Sequence, residues 1–133
     1  MRYLLDTNIC IYIAKRRPPC VLSRLERLRP GDVGMSSVTY LELVYGAWKS
    51  QQAAANLARL EELRGIIPVQ PLDVGAARDY ARIRTDLEKR GSPIGAYDLL
   101  IAAHALSLGL ILVTNNVREF ARIHGLRLEN WAE

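Results

Sequence analysis

The feature that most constrains this chain is a set of short apolar runs, each closed at its carboxyl end by a polar residue. LILVT, residues 110–114, carries no charge and no alternation. Tyr3, Leu4 and Leu5 form a similar run that stops at Asp6. A half-solvated strand alternates apolar and polar side chains, whereas a run apolar at every position is buried on both faces. Asp32 to Met35 is a third candidate strand. The stretches between them have helical spacing. Short buried strands alternating with helices predict an α/β fold around a mostly parallel sheet covered on both sides. At 133 residues the chain is expected to form one domain, residues 1–133.

The helices can be placed by their caps. Asn8 to Lys15 reads as a short helix. A second begins at Pro18-Pro19, where proline is tolerated, and ends near Arg29 before Pro30-Gly31. Ser36 and Ser37 are good N-caps for a helix from Val38 to Ser50. Its Leu41, Val44, Tyr45 and Trp48 recur at helical spacing and are expected to pack as one face. Ser50 can cap the next helix, which Gly65 ends. Pro68 and Pro71 allow an edge strand at best. Asp73 caps a long helix through Arg90. A rather apolar helix runs from Ala96 to Gly109. A short helix after Asn115 and a last strand within LRLENW complete the chain.

Composition narrows the classes. The two cysteines, Cys10 and Cys20, form no metal-binding spacing with His104 or His124, and read as reduced thiols. No apolar run approaches the roughly 20 residues of a spanning helix. Asp6 and Asn8 break the apolar start, so no secretory signal is read. A cytoplasmic protein with no membrane partner is expected. The net charge of +4 suits a phosphate-bearing partner, and equally suits plain solubility. No phosphate-binding glycine loop and no nucleophile elbow is present.

Four acids fall near element boundaries: Asp6, Glu42, Asp98 and Glu119. Each has a structural reading. Asp6 could cap the first helix. Glu42 could close a capping box with Thr39. Asp98 suits a helix start, and Glu119 a solvated face. Yet Glu42 lies between Leu41 and Leu43, and Asp98 enters the apolar segment LLIAAHAL. A buried carboxylate is costly unless paired or bound to a metal. Ligands of parallel sheets gather at the carboxyl ends of the strands. Asp6 sits at one such end and Thr114 to Asn116 at another. Acids converging there need a cation, and oxygen donors suit Mg²⁺ or Mn²⁺. His104 and His124 read as structural.

LLDTN, SSVTYLELVYGAWKS, IGAYDLLIAAHALSLG and LILVTNNVREFARIHGLRLENW stand in the order of the motifs of PIN-domain ribonucleases. The whole chain resembles this family, and within it the VapC toxins of bacterial toxin–antitoxin pairs. The resemblance implies a three-layer α/β/α PIN-like domain. It implies an endoribonuclease dependent on Mg²⁺, with Mn²⁺ as a substitute, in which metal-activated water attacks the phosphodiester. Products with 5′-phosphate and 3′-hydroxyl ends would follow. It implies a homodimer, neutralised by a VapB-type antitoxin, that meets operator DNA only through the antitoxin complex. The substrate is RNA, with tRNA as the class that the TNN and REF variants suggest.

Carried over by position, the resemblance makes Asp6, Glu42, Asp98 and Glu119 the catalytic set, with Asp6 and Asp98 as metal ligands. Many members have an aspartate where this chain has Asn116, so Glu119 is assigned the fourth place with Asn116 beside it. Thr7, Thr114 and Asn116 are supporting polar groups. Lys15, Arg16 and Arg17 are candidates for the RNA-binding rim, or a solvated charge run. Three other readings compete. A phosphatase of the haloacid-dehalogenase type would need an aspartate where Asn8 stands. A nuclease for structured DNA would need appendages the chain lacks. A PIN-like module that binds RNA or antitoxin without cutting remains the alternative.

Overall fold

A computed structural model describes residues 1–133. Five strands form one sheet: β1 Tyr3–Leu5, β2 Val33–Ser36, β3 Val69–Gln70, β4 Ile111–Val113 and β5 Leu128–Glu129. Their order is β3-β2-β1-β4-β5 and every pairing is parallel, beyond the mostly parallel sheet expected. In register, Leu5 stands between Met35 on one side and Val113 on the other. Pro68 and Pro71 flank β3, which is indeed an edge strand.

Seven helices cover the sheet: α1 Thr7–Lys15, α2 Pro19–Glu26, α3 Ser37–Lys49, α4 Ala53–Ile66, α5 Val74–Lys89, α6 Ala96–Leu108 and α7 Val117–Phe120. The period of two in the strands sorts the core. Tyr3 and Leu5 join Ile9, Cys10 and Ile13 of α1, Val21 of α2, and Leu60 and Leu63 of α4. Leu4 points the other way, to Ile83 and Leu87 of α5, Leu99 and Ile101 of α6, and Phe120. Leu112 and Val113 divide in the same manner. Strands this short make few ladder bonds, so the two apolar layers hold the fold. Each fully buried Leu, Ile or Phe contributes roughly 1.5–3 kcal/mol.

Several local expectations are corrected. With Asp6 as its cap, α1 starts at Thr7, one residue before the expected Asn8. α2 ends at Glu26, short of Arg29. Ser50 closes α3 instead of opening α4: its hydroxyl donates to the Ala47 carbonyl at 2.7 Å and accepts from Asn56 Nδ2 at 2.9 Å. Gly65 lies inside α4, which runs on until Ile67 turns into the core. The expected packing face of α3 is open. Leu41, Tyr45 and Trp48 are 47%, 64% and 66% exposed, and only Val44 of that set packs on the core. Helical periodicity identifies an apolar face but not what covers it.

The chain runs from β1 out to β3, then crosses back to place β4 and β5 on the other side of β1. The switch point of this sheet therefore lies between β1 and β4, at their carboxyl ends, where ligands of such sheets bind.

Candidate active site

Asp6 follows β1 and Thr114 follows β4, so both stand at that switch point. Asp6 is 5% exposed. Its Oδ1 accepts the Ile9 N–H at 2.9 Å, which is an N-cap bond, and its N–H donates to the Val113 carbonyl at 3.0 Å. The Thr114 hydroxyl, fully buried, lies within hydrogen-bonding reach of the same carboxylate. The cap reading of Asp6 is thus correct, and it leaves the other carboxylate oxygen unused by the cap.

Glu42 makes no capping box. Ser36 is the cap of α3, with its Oγ accepting the Val38 N–H at 3.1 Å. Glu42 lies farther along the helix, where its Oε1 accepts the Thr7 hydroxyl at 2.7 Å. Thr7 Oγ1 is also 3.3 Å from Thr39 Oγ1. Asp98 sits in the first turn of α6, where the helix dipole favours a negative charge, and is half-buried. Glu119 opens α7 and accepts Asn116 Nδ2 at 2.6 Å, while the Asn116 N–H donates to Thr114 Oγ1 at 3.0 Å. Asn116 and Glu119 are therefore joined by a hydrogen bond in this structure.

The electrostatics tie these side chains together. Burial pushes the Asp6 carboxyl up from 3.8 to about 6, and the charges of Asp98 and Glu42 push the same way. The bonds from Thr114 and Ile9 oppose that shift. Burial also raises Asp98, and Glu119 and Glu42 add to it. Ion pairs occur elsewhere on the surface, as in Arg24–Glu129 at 2.7 Å and Arg90–Asp86 at 2.8 Å, but none involves these four acids. The site gathers hard oxygen donors, none of them in an ion pair with a protein cation. That donor set fits Mg²⁺ or Mn²⁺ and not a soft metal. No three of the groups lie close enough together to hold a metal ion as they stand.

Two clefts open beside Glu42. One, of about 400 Å³, runs between α1, α3 and α4 and is lined by Thr7, Glu42, Lys15, Asn56 and Arg59 among others. The second, of about 560 Å³, is bounded by Thr7, Glu42, Tyr45, Lys49 and Tyr97. Lys15, Arg16 and Arg17 are all exposed at the far end of α1, about 13 Å from Asp6 along a nine-residue helix. Of the three, Lys15 lines the first of these two clefts. Arg16 leaves the helix in the left-handed region, with φ of 59°. Asn56 and Arg59 were not anticipated from the sequence. Their three-residue spacing on α4 was the available signal, and the two side chains bond at 3.3 Å.

The chain matches a known family over nearly its whole length. The PIN domain model matches residues 3–126. The chain is 47% identical over 132 residues to the tRNA(fMet)-specific endonuclease VapC of Shigella flexneri, with 99% of each chain covered. It is similar in structure to DNA-bound VapBC from Salmonella typhimurium, with a TM-score of 0.93, 43% identity and 98% of each chain covered. It is equally similar to VapBC-1 from nontypeable Haemophilus influenzae, with a TM-score of 0.93, 41% identity and full coverage of both chains. A PIN domain model matched over residues 3–126, with VapC relatives matched nearly end to end, makes this chain a member of the PIN-domain family, of the VapC type.

Proposed function

We propose that this protein is a metal-dependent endoribonuclease toxin that cuts tRNA and is neutralised by a VapB-type antitoxin. The observation that carries the reading is the cluster of Asp6, Glu42, Asp98 and Glu119, unpaired with any cation, in a chain that matches VapC proteins from end to end. Asp6 and Asp98 would hold Mg²⁺, or Mn²⁺ in its place. A divalent ion bound there supplies a water of lowered pKa and positive charge against the phosphate oxyanions.

The protein's own groups do the rest. Glu42, held by the Thr7 hydroxyl, orients the attacking water and accepts its proton. Thr114 and the Ile9 N–H fix the Asp6 side chain. Glu119, aligned by Asn116, closes the fourth side. Lys15, with Arg59 across the cleft and Arg16 and Arg17 beyond it, offsets the repulsion between an acidic centre and RNA. The tRNA substrate is inferred from the Shigella and Salmonella relatives, each named as a tRNA(fMet)-specific endonuclease. The antitoxin is inferred from the VapBC complexes, two of them DNA-bound.

The homodimer has a surface to use. Leu41, Tyr45 and Trp48 of α3 lie exposed, and Tyr97, 53% exposed, borders the same cleft as Leu41 and Tyr45. No helix is long and apolar enough to cross a membrane, in keeping with action in the cytoplasm. The test is cleavage of a bulk tRNA pool by purified, antitoxin-free protein. Discrete fragments that need Mg²⁺ or Mn²⁺, vanish in EDTA and are lost in Asp6→Ala are expected. A folded protein that cuts nothing would move the reading to a module that binds RNA or antitoxin without cutting.

A further inference from the structure

His104 is fully buried on α6, and its Nδ1 lies 2.8 Å from Ser36 Oγ. Ser36 is also fully buried and caps α3. This is the only side-chain hydrogen bond between the two helices' residues, and its location is informative. Asp98 stands six residues before His104 on α6, and Glu42 six residues after Ser36 on α3. Each acid is therefore about 9 Å along its helix from one shared joint.

The proton positions at the joint follow from its partners. Ser36 Oγ already accepts the Val38 N–H at 3.1 Å. Its own proton has no acceptor other than His104 Nδ1. Nδ1 is then the bare nitrogen, and Nε2 carries the ring proton. The ring's other polar neighbours are the Asp73 carboxylate and the Pro71 carbonyl, and Nε2 makes no good hydrogen bond with either. The opposite tautomer would turn a bare Nε2 toward that carbonyl and leave the Ser36 proton stranded. Next to the joint, Ser37 Oγ accepts the Leu72 N–H at 3.1 Å, which ties the same helix start to the segment after β3.

We propose that His104 is a positioning residue. By accepting the Ser36 proton, it fixes the start of α3 against α6, and so sets where Glu42 stands relative to Asp98. The proposal rests on the reading of those two acids as parts of one site. His104 never meets substrate, since it is buried in the core layer between the sheet and the helices.

The test compares four full-length proteins: the parent, His104→Ala, His104→Asn and His104→Gln. The Asn oxygen can stand where Nδ1 stood and accept the Ser36 proton. The Gln amide reaches toward Pro71 instead. On a tRNA substrate with saturating Mg²⁺, kcat is expected to fall by about tenfold to a hundredfold in the Ala and Gln variants, the range a small misplacement of a catalytic group produces. KM should stay within about twofold, and Asn should recover most of kcat, because misplacement of Glu42 and not loss of RNA contact is at issue.

A second readout needs no cleavage. Nitrogen-detected NMR of the parent should show a bare Nδ1 and a protonated Nε2 for His104. The Val38 amide should exchange slowly in the parent and in Asn, and faster in Gln and Ala. Equal kcat in Asn and Gln, or a protonated Nδ1 at neutral pH, would overturn the proposal and leave His104 as packing. If Ala fails to fold, the Asn and Gln pair still decides. If no form cuts RNA, the nuclease reading has failed, and the NMR arm still judges the joint by itself.

Discussion

Asp6→Asn is expected to make the metal-free protein more stable, and only as the pH rises toward neutrality. Burial holds the Asp6 carboxyl at about 6 in the folded chain, against an ordinary 3.8. Below 3.8 the carboxyl keeps its proton in both states and imposes no cost. Between 3.8 and about 6 the folded chain retains a proton that the unfolded chain has released. The unfolded state then binds fewer protons, so stability falls as pH rises, and the loss is complete above about pH 6. At about 1.4 kcal/mol per pH unit, the gap from 3.8 to about 6 amounts to about 3 kcal/mol.

Asparagine removes that cost and keeps an oxygen for the Ile9 N–H, since it ranks with aspartate as a helix cap. The weaker bond from Thr114 to a neutral acceptor is already contained in that net shift, so nothing further is subtracted. A net gain of about 3 kcal/mol is left at pH 8. Urea unfolding in EDTA, followed by the fluorescence of buried Trp131, measures it. Parent and variant should nearly coincide at pH 4 and separate by pH 8. Mg²⁺ at a hundredfold excess over its Kd should then restore about 2.7 kcal/mol to the parent alone. A variant less stable than the parent at pH 8, or a gap independent of pH, would refute the claim that Asp6 is held charged against its surroundings.

Asp98→Asn should abolish tRNA cleavage while its urea midpoint at pH 8 stays level or rises, because this carboxyl too is raised by burial. Replacing Lys15, Arg16 and Arg17 by Ala should weaken RNA binding and flatten its salt dependence, with the logarithmic slope falling by up to about 2 for three single-strand phosphate contacts; an unchanged slope removes these residues from the rim. Trp131→Ala should cost about 3–5 kcal/mol in urea unfolding, since the indole is 1% exposed and stacks edge-on against Tyr3 at 5.3 Å.

The fold was largely legible because its two central paired strands, β1 and β4, are apolar at every position, a pattern that a sheet covered on both faces accommodates. Pro68 and Pro71 even placed β3 at an edge. The place of Asp6 was legible through the same logic, since Asp6 and Thr114 each follow a buried strand. What failed to show depends on distant partners. The face of Leu41, Tyr45 and Trp48 looks like any core face until the rest of the chain is seen not to cover it. Gly65 looked like a stop, but α4 continues until Ile67 meets the core, and the glycine costs that helix only about 1 kcal/mol. His104 gave no local sign of a role. Its partner is 68 residues away, and only the folded sheet brings the two together.

A carboxylate at the seam between strand and helix need not choose between capping and chemistry. The cap bond to Ile9 takes one oxygen of Asp6 and settles the side chain's direction. The direction it settles is toward Thr114, across the switch point of the sheet. A free side chain there would swing away from Asp98 and Glu42, whose charges repel it. The helix start therefore holds Asp6 in a position its electrostatics oppose. Asp6→Ser separates the two roles, because serine caps as well as aspartate but brings no charge. That variant should keep the parent's stability at pH 4, exceed it at pH 8, and lose both Mg²⁺-dependent stabilisation and cleavage. Retained cleavage in Asp6→Ser would show that the seam needs only a cap.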